Sequence, residues 1–227
     1  MSGALVLGVD EAGRGPGIGP MVLAAVALGD VSARFLAKAG VRDSKMFGAS
    51  TAAQRTRANL AGLVREQARW FSIEICEVDQ IDAYVARGAL NELERERARL
   101  LIQRAPACAR IVADGRTLFS GLTAEFAHLE AHDRAEAIHT AVAAASILAK
   151  AERDTRFHAI ARRYQDEFGP LRGGGYVNLP TCAFVAKFVH RYGQLPPEAR
   201  KSWPWKGIRM PENADLPTTA LTGPRVG

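Results

Sequence analysis

Two apolar runs separated by a turn rich in glycine and proline constrain this chain most. Residues 5–9 and 21–28 carry no charged side chain, and Gly13, Gly15, Pro16, Gly17, Gly19 and Pro20 fall between them. Short, wholly apolar runs bounded by such breakers read as buried strands. The pair therefore reads as a hairpin. Its first strand ends in two adjoining carboxylates, Asp10 and Glu11, followed at once by Gly13-Arg14-Gly15.

The rest of the chain alternates between the two periodicities. Helices are expected over residues 31–39, 52–68 and 81–104, and strands over 70–78, 109–113 and 126–132. The longest helical pattern, rich in alanine, covers residues 135–164. Pro180 is expected to open a last helix, in which Phe184, Val185, Phe188, Val189 and Tyr192 recur at helical spacing. Strands first and then mixed elements indicate an α/β layered fold. Residues 1–206 read as one domain with a small C-terminal helical extension, and residues 207–227 as a loose tail of Pro, Thr and Gly.

The chain has 227 residues, enough for a full core, and a formal charge of +6, which makes a polyanionic partner plausible. Cys76, Cys108 and Cys182 are far apart and show no zinc spacing. They are expected to be reduced thiols in a cytoplasmic protein. No apolar run approaches the roughly 20 residues that span a bilayer, so no membrane association is expected.

Asp10, Glu11, Asp114 and Asp154 are the candidate acids. Two of these positions abut expected strand ends, where α/β folds gather functional groups, and Asp154 lies on the long helix. Clustered carboxylates repel one another unless cations neutralise them. Mg²⁺ favours carboxylate oxygens and water, and leaves part of its shell for phosphates. Two such ions about 3.5–4 Å apart can stabilise both the attacking and the leaving oxygen of an in-line displacement. The pattern thus points to metal-assisted phosphodiester hydrolysis. Taken singly, each acid also suits a helix cap, a turn or an ion pair, and Asp154 is flanked by Arg153 and Arg156.

The run Gly8-Val9-Asp10-Glu11-Ala12-Gly13-Arg14-Gly15-Pro16 resembles the signature that opens ribonuclease HII, the type 2 ribonuclease H. Further similar motifs follow in family order. They are Asp43-Ser44-Lys45, Leu90-Asn91-Glu92-Leu93-Glu94, Val112-Ala113-Asp114-Gly115, the helix segment from Ala143 to Lys150 with Arg153-Asp154, and Arg200-Lys201-Ser202-Trp203. The resemblance implies a ribonuclease H-like fold, a mixed central sheet flanked by helices. It implies Asp10, Glu11 and Asp114 as core ligands of Mg²⁺ or Mn²⁺, with Asp154 completing the second metal site. It implies cleavage of the RNA strand of RNA–DNA hybrids, and incision 5′ of ribonucleotides embedded in duplex DNA, by a metal-activated water.

Substrate reading must reach the 2′-hydroxyl, the group that distinguishes RNA from DNA. The resemblance gives that task to Gly13, Arg14 and Gly15. Tyr176 resembles the tyrosine that packs on the neighbouring deoxyribose, although Val177-Asn178-Leu179 replaces the usual continuation into proline. Lys45, Ser146 and Lys150 join Arg14 as phosphate candidates, with Arg200 and Lys201 as weaker ones on a basic, solvated run. Residues 207–227 lack any aromatic side chain, so no sliding-clamp peptide is expected there, and a monomer is the default. Another nuclease of the same fold and a silent nucleic-acid-binding module remain the competing readings.

Overall fold

The computed structural model describes residues 4–41, 50–205 and 207–208. Strands β1 (Val6–Ala12) and β2 (Met21–Leu28) pair antiparallel as the expected hairpin, with Val6 opposite Leu28 and Ala12 opposite Val22. β3 (Trp70–Cys76) pairs antiparallel with the far edge of β2. β4 (Arg110–Asp114) and β5 (Leu129–His132) extend the other side in parallel. The order β3-β2-β1-β4-β5 puts β1 at the centre of a mixed sheet.

Every residue of β2 is buried because both of its faces are covered. Val22, Ala24, Val26 and Leu28 pack against helices α1 (Asp30–Lys38), α2 (Thr51–Gln67) and α6 (Thr140–Phe168). Met21, Leu23, Ala25 and Ala27 pack against α3 (Val78–Val85), α4 (Leu90–Arg104) and the short α5 (Arg116–Phe119). Successive strand residues alternate between faces, so an unbroken apolar run is what a doubly covered strand requires.

The closest packing in this arrangement is α6 on β1. A Cβ built on Gly8 would lie 2.1 Å from the main-chain carbon of Ala141. Ala141, Ala143, Ala144 and Ala145 keep the helix thin enough to lie directly on the strand. Gly8→Ala must push the helix backbone away, and overpacking of this kind costs about 3 kcal/mol. The variant is expected to show a lowered urea midpoint by circular dichroism, with metal affinity falling alongside, because Asp10 lies two residues further along the same face.

Four expected elements differ. The helix expected over 81–104 is two, since the chain reverses at Gly88, which has φ of 69°. The strand expected over 70–78 stops at Cys76, because Glu77 and Gln80 form a reciprocal capping box that makes Val78 helical. The pattern over 135–164 begins as a 3₁₀ turn at Ala135–Ala137, restarts at Thr140 and runs on to Phe168. The expected strand over 126–132 shortens to β5, since the Phe126 N–H donates to the Leu122 carbonyl in a turn.

Helix α7 (Leu179–Tyr192) packs Phe184, Val185, Phe188 and Val189 onto the distal half of α6 through Phe157 and Ile160, forming the small extension. The Asn178 side chain accepts the Thr181 N–H and caps it. Residues 209–227, which hold nearly all of the expected tail, lie outside the described residues, as does the segment with Asp43, Ser44 and Lys45.

Candidate active site

β1 and β4 run parallel with Gly8 beside Val112 and Val9 beside Ala113. The next residue of each strand is an acid, so Asp10 and Asp114 stand side by side at the carboxyl ends of adjacent strands. Asp10 shares the face of Gly8, toward α6. Asp114 shares the face of Val112, which packs on Ala135 and Val142. Glu11 belongs to the opposite face by alternation, yet its carboxyl group hydrogen-bonds that of Asp10 and feels the charge of Asp114. The strand end therefore gathers all three acids, as the sequence suggested.

Their electrostatics are those of a buried anionic cluster only partly offset by nearby positive charge. Asp10 is 4% exposed. Burial first, and the Glu11 charge second, push its carboxyl up to about 8. The Ser146 hydroxyl and the Lys150 ammonium work against that rise. Lys150 Nζ donates to Ser146 Oγ at 3.0 Å, so two successive turns of α6 address Asp10 in series. Asp114 is pushed up to about 7, chiefly by burial, although the Ala135 N–H donates to its Oδ1 at 2.7 Å. Glu11 is raised by burial and by Asp114.

Asp154 does not join them. Arg57 of α2 donates to its Oδ2 through Nη2 at 2.7 Å and through Nε at 3.1 Å. Asp154 lies eight residues beyond Ser146 on α6, about 12 Å along a helix axis. The stripe from Ser146 to Asp154 thus serves two places: its start faces Asp10 and its end ties α6 to α2. The carboxylate that does adjoin the cluster is Glu136, in the 3₁₀ turn before α6. It is 3% exposed and hydrogen-bonds the Asp114 side chain. Its mark in the sequence is faint, a single acid just ahead of the alanine-rich helix, and no periodicity reports its burial.

The glycine turn stands next to this cluster. Gly13 has φ of 89°, a conformation that favours glycine. The Arg14 guanidinium, partly exposed, pairs with the buried Glu94 carboxylate and donates to Asn91 Oδ1 at 2.7 Å. Tyr176 is brought to the same place: a Cβ on Gly15 would sit 3.3 Å from Tyr176 Cε1, and the tyrosine remains 53% exposed. Val177-Asn178-Leu179 does not displace it, because these residues turn directly into the capped start of α7. Arg200, expected on a solvated basic face, is fully buried beneath the turn. It is unavailable to phosphate because its donors are spent on main-chain carbonyls. Lys201 is exposed, and its N–H donates to Asp82. Lys45 lies outside the described residues.

Whether this donor set fits divalent cations can be judged from its chemistry. Asp10, Glu11, Asp114 and Glu136 offer hard oxygens whose mutual repulsion and burial raise at least three of them. Among the described residues, no three Asp, Glu, His or Cys side chains already stand placed to hold one ion. The donors fit an ion that keeps much of its water shell and takes only a few carboxylate oxygens, as Mg²⁺ does.

The family model for ribonuclease HII matches residues 7–205. The ribonuclease HII of Methanothermobacter thermautotrophicus is 36% identical over 207 residues, covering 87% of this chain and 95% of that protein. The crystal structure of ribonuclease H2 from Pyrococcus horikoshii superposes with a TM-score of 0.76 at 26% identity, over 88% of this chain and 94% of that one. The ribonuclease HII of Archaeoglobus fulgidus, solved in complex with PCNA, gives 0.72 at 29% identity, over 88% and 95%. Matches that span the described sheet, the acid-bearing strand ends and the C-terminal extension alike put the chain in the ribonuclease HII family of metal-dependent endoribonucleases.

Proposed function

We propose that this chain hydrolyses the RNA strand of RNA–DNA hybrids and incises duplex DNA on the 5′ side of an embedded ribonucleotide, leaving 3′-hydroxyl and 5′-phosphate ends. The observation that carries the reading is the meeting of Asp10, Glu11 and Asp114 at two adjacent strand ends, beside a glycine turn suited to close approach by a sugar–phosphate backbone. Asp10, Glu11 and Asp114 are the core ligands for Mg²⁺ or Mn²⁺. Glu136, in place of Asp154, is the fourth carboxylate.

Bound divalent cations supply Lewis acidity, activating water and neutralising charge on the scissile phosphate. The chain's own residues do the rest. Ser146 and Lys150 hold Asp10 in orientation, and Lys150 offers positive charge to the backbone. Gly13, Arg14 and Gly15 approach the ribose through their main chain, and Arg14 keeps exposed donors for phosphate. Tyr176 packs on the sugar that follows. Lys45 is a further phosphate contact. Residues 1–206 act as one catalytic unit. A monomer in the cytoplasm, acting at the first step of ribonucleotide removal from DNA, goes with this reading.

The direct test is incision of a duplex carrying one ribonucleotide, with and without Mg²⁺ or Mn²⁺. Cutting at the 5′ side of the ribonucleotide only when metal is present is expected. Metal-dependent cutting elsewhere, or binding without cutting, contradicts the reading.

A pH dependence follows from the raised carboxyls. Asp10 at about 8 and Asp114 at about 7 lie above the unfolded carboxylate value of about 4. The folded state therefore holds protons that the unfolded state releases. Without metal, these groups make stability fall as pH rises from about 4 through about 8. Metal must displace those protons. The rise in melting temperature on adding Mg²⁺ is thus expected to grow between about pH 5 and about pH 8. Differential scanning fluorimetry across pH checks it, and a metal-induced shift independent of pH would contradict the assignment.

A further inference from the structure

The turn from Gly13 to Gly19 is one-sided. Arg200 Nη2 donates to the Gly13 carbonyl at 2.6 Å and to the Gly19 carbonyl at 2.9 Å. Its Nη1 donates to the Arg14 carbonyl at 2.9 Å and its Nε to Gly19 at 3.0 Å. Trp203 Nε1 donates to the Gly15 carbonyl at 2.9 Å, and the Arg200 N–H donates to Gly17 at 2.8 Å. Every carbonyl named is thus occupied from the C-terminal segment. On the donor side, Gly17, Ile18 and Gly19 give their N–H groups to Gly175 and Glu198. Among the described residues, no acceptor takes the successive N–H groups of Gly13, Arg14 and Gly15. Successive main-chain N–H groups without an acceptor are free to meet an oxygen lone pair of a ligand.

The guanidinium that enforces this polarity is an unusual burial. Arg200 is fully buried, and among the described residues no carboxylate pairs with it. Its charge is met by carbonyl oxygens and by the Trp203 ring, 4.6 Å from its carbon. Burial, and the nearby Arg153, lower its pKa to about 10, and it stays protonated at neutral pH. A buried cation without an anionic partner costs stability. An apolar residue could fill the same space, so the cation is tied to what its donors do for the turn.

We propose that Arg200, seconded by Trp203, is the positioning residue that turns the carbonyls of Gly13, Arg14 and Gly15 inward and leaves their N–H groups for the ribose. The turn then reads its ligand as an acceptor. This rests on the proposed role of the turn in recognising the ribonucleotide.

The test is equilibrium binding in EDTA, by fluorescence anisotropy, of a duplex with one ribonucleotide and of the same duplex made wholly of DNA. Wild type is expected to prefer the ribonucleotide. Arg200→Lys keeps the charge but cannot span three carbonyls, and is expected to cut the preference at least about tenfold. In the cleavage assay its KM for hybrid should rise more than its kcat falls. Trp203→Phe keeps the ring under Arg200, frees one carbonyl, and should cut the preference about threefold. If Arg200→Lys folds and retains the preference within about twofold while its melting temperature falls, Arg200 is merely structural and the proposal fails. If Arg200→Lys does not fold, Trp203→Phe decides, and an unchanged ratio overturns the proposal. A wild type that shows no preference for the ribonucleotide overturns the reading of the turn itself, and the assignment with it.

Discussion

Asp10→Asn and Asp114→Asn are each expected to lower hybrid cleavage at least about 10³-fold while sparing the fold. The two carboxylates stand on neighbouring parallel strands, Asp10 buried and Asp114 half-buried, and asparagine nearly matches aspartate in shape, so neither substitution opens a cavity. Asparagine removes a charge that the metal-free protein holds at a cost, because burial and Glu11 both oppose ionisation of Asp10. The metal-free Asp10→Asn protein is therefore expected to melt at or above the wild-type temperature, and most clearly above about pH 8, where wild-type Asp10 is charged. The Mg²⁺-induced rise in melting temperature should vanish with the activity. Calorimetry and a single-turnover cleavage assay on the same preparations check both halves. Near-normal turnover by either variant would contradict the assigned roles.

The second large effect is a contrast between two acids. Glu136→Gln is expected to lower cleavage about 10²-fold and to raise the Mg²⁺ concentration needed, with little change in stability. Asp154→Asn is expected to do the reverse. It removes the carboxylate that accepts two hydrogen bonds from the Arg57 guanidinium, which is 7% exposed in its side chain. Breaking a buried pair in this way costs about 3 kcal/mol, while cleavage per folded molecule changes little. Urea unfolding and a metal titration of kcat/KM on both variants separate the two. A large loss of activity in Asp154→Asn at full stability would return that residue to the metal site.

This contrast shows where the sequence was legible and where it was not. The hairpin was legible because β2 must be apolar on both faces, and a run of eight buried residues has few other readings. That Asp10, Glu11 and Asp114 come together was legible because acids directly after a short apolar run are a local pattern, although β1 itself runs on to Ala12. Asp154 was misplaced for a geometric reason. Spacing of i, i+4 and i+8 puts residues on one face of a helix, but α6 is long enough for that face to meet two neighbours, β1 at Ser146 and α2 at Asp154. Glu136 was missed because a 3₁₀ turn carries no period, and only the tertiary fold brings it to Asp114. Arg200 was misread because a charged run looks solvated, whereas the carbonyls that bury it belong to residues some 190 positions earlier in the chain. The split at Gly88 could have been anticipated, since glycine there breaks an otherwise continuous helical pattern.

The central claim is that four carboxylates, on β1, on β4 and in the turn before α6, bind the divalent cations. Anomalous scattering from crystals soaked in manganese tests it most directly. The account predicts anomalous peaks within coordination distance of Asp10, Glu11, Asp114 and Glu136, and none at Asp154. Peaks bound by Asp154, or absent from the carboxyl ends of β1 and β4 in crystals of an active preparation, would contradict it.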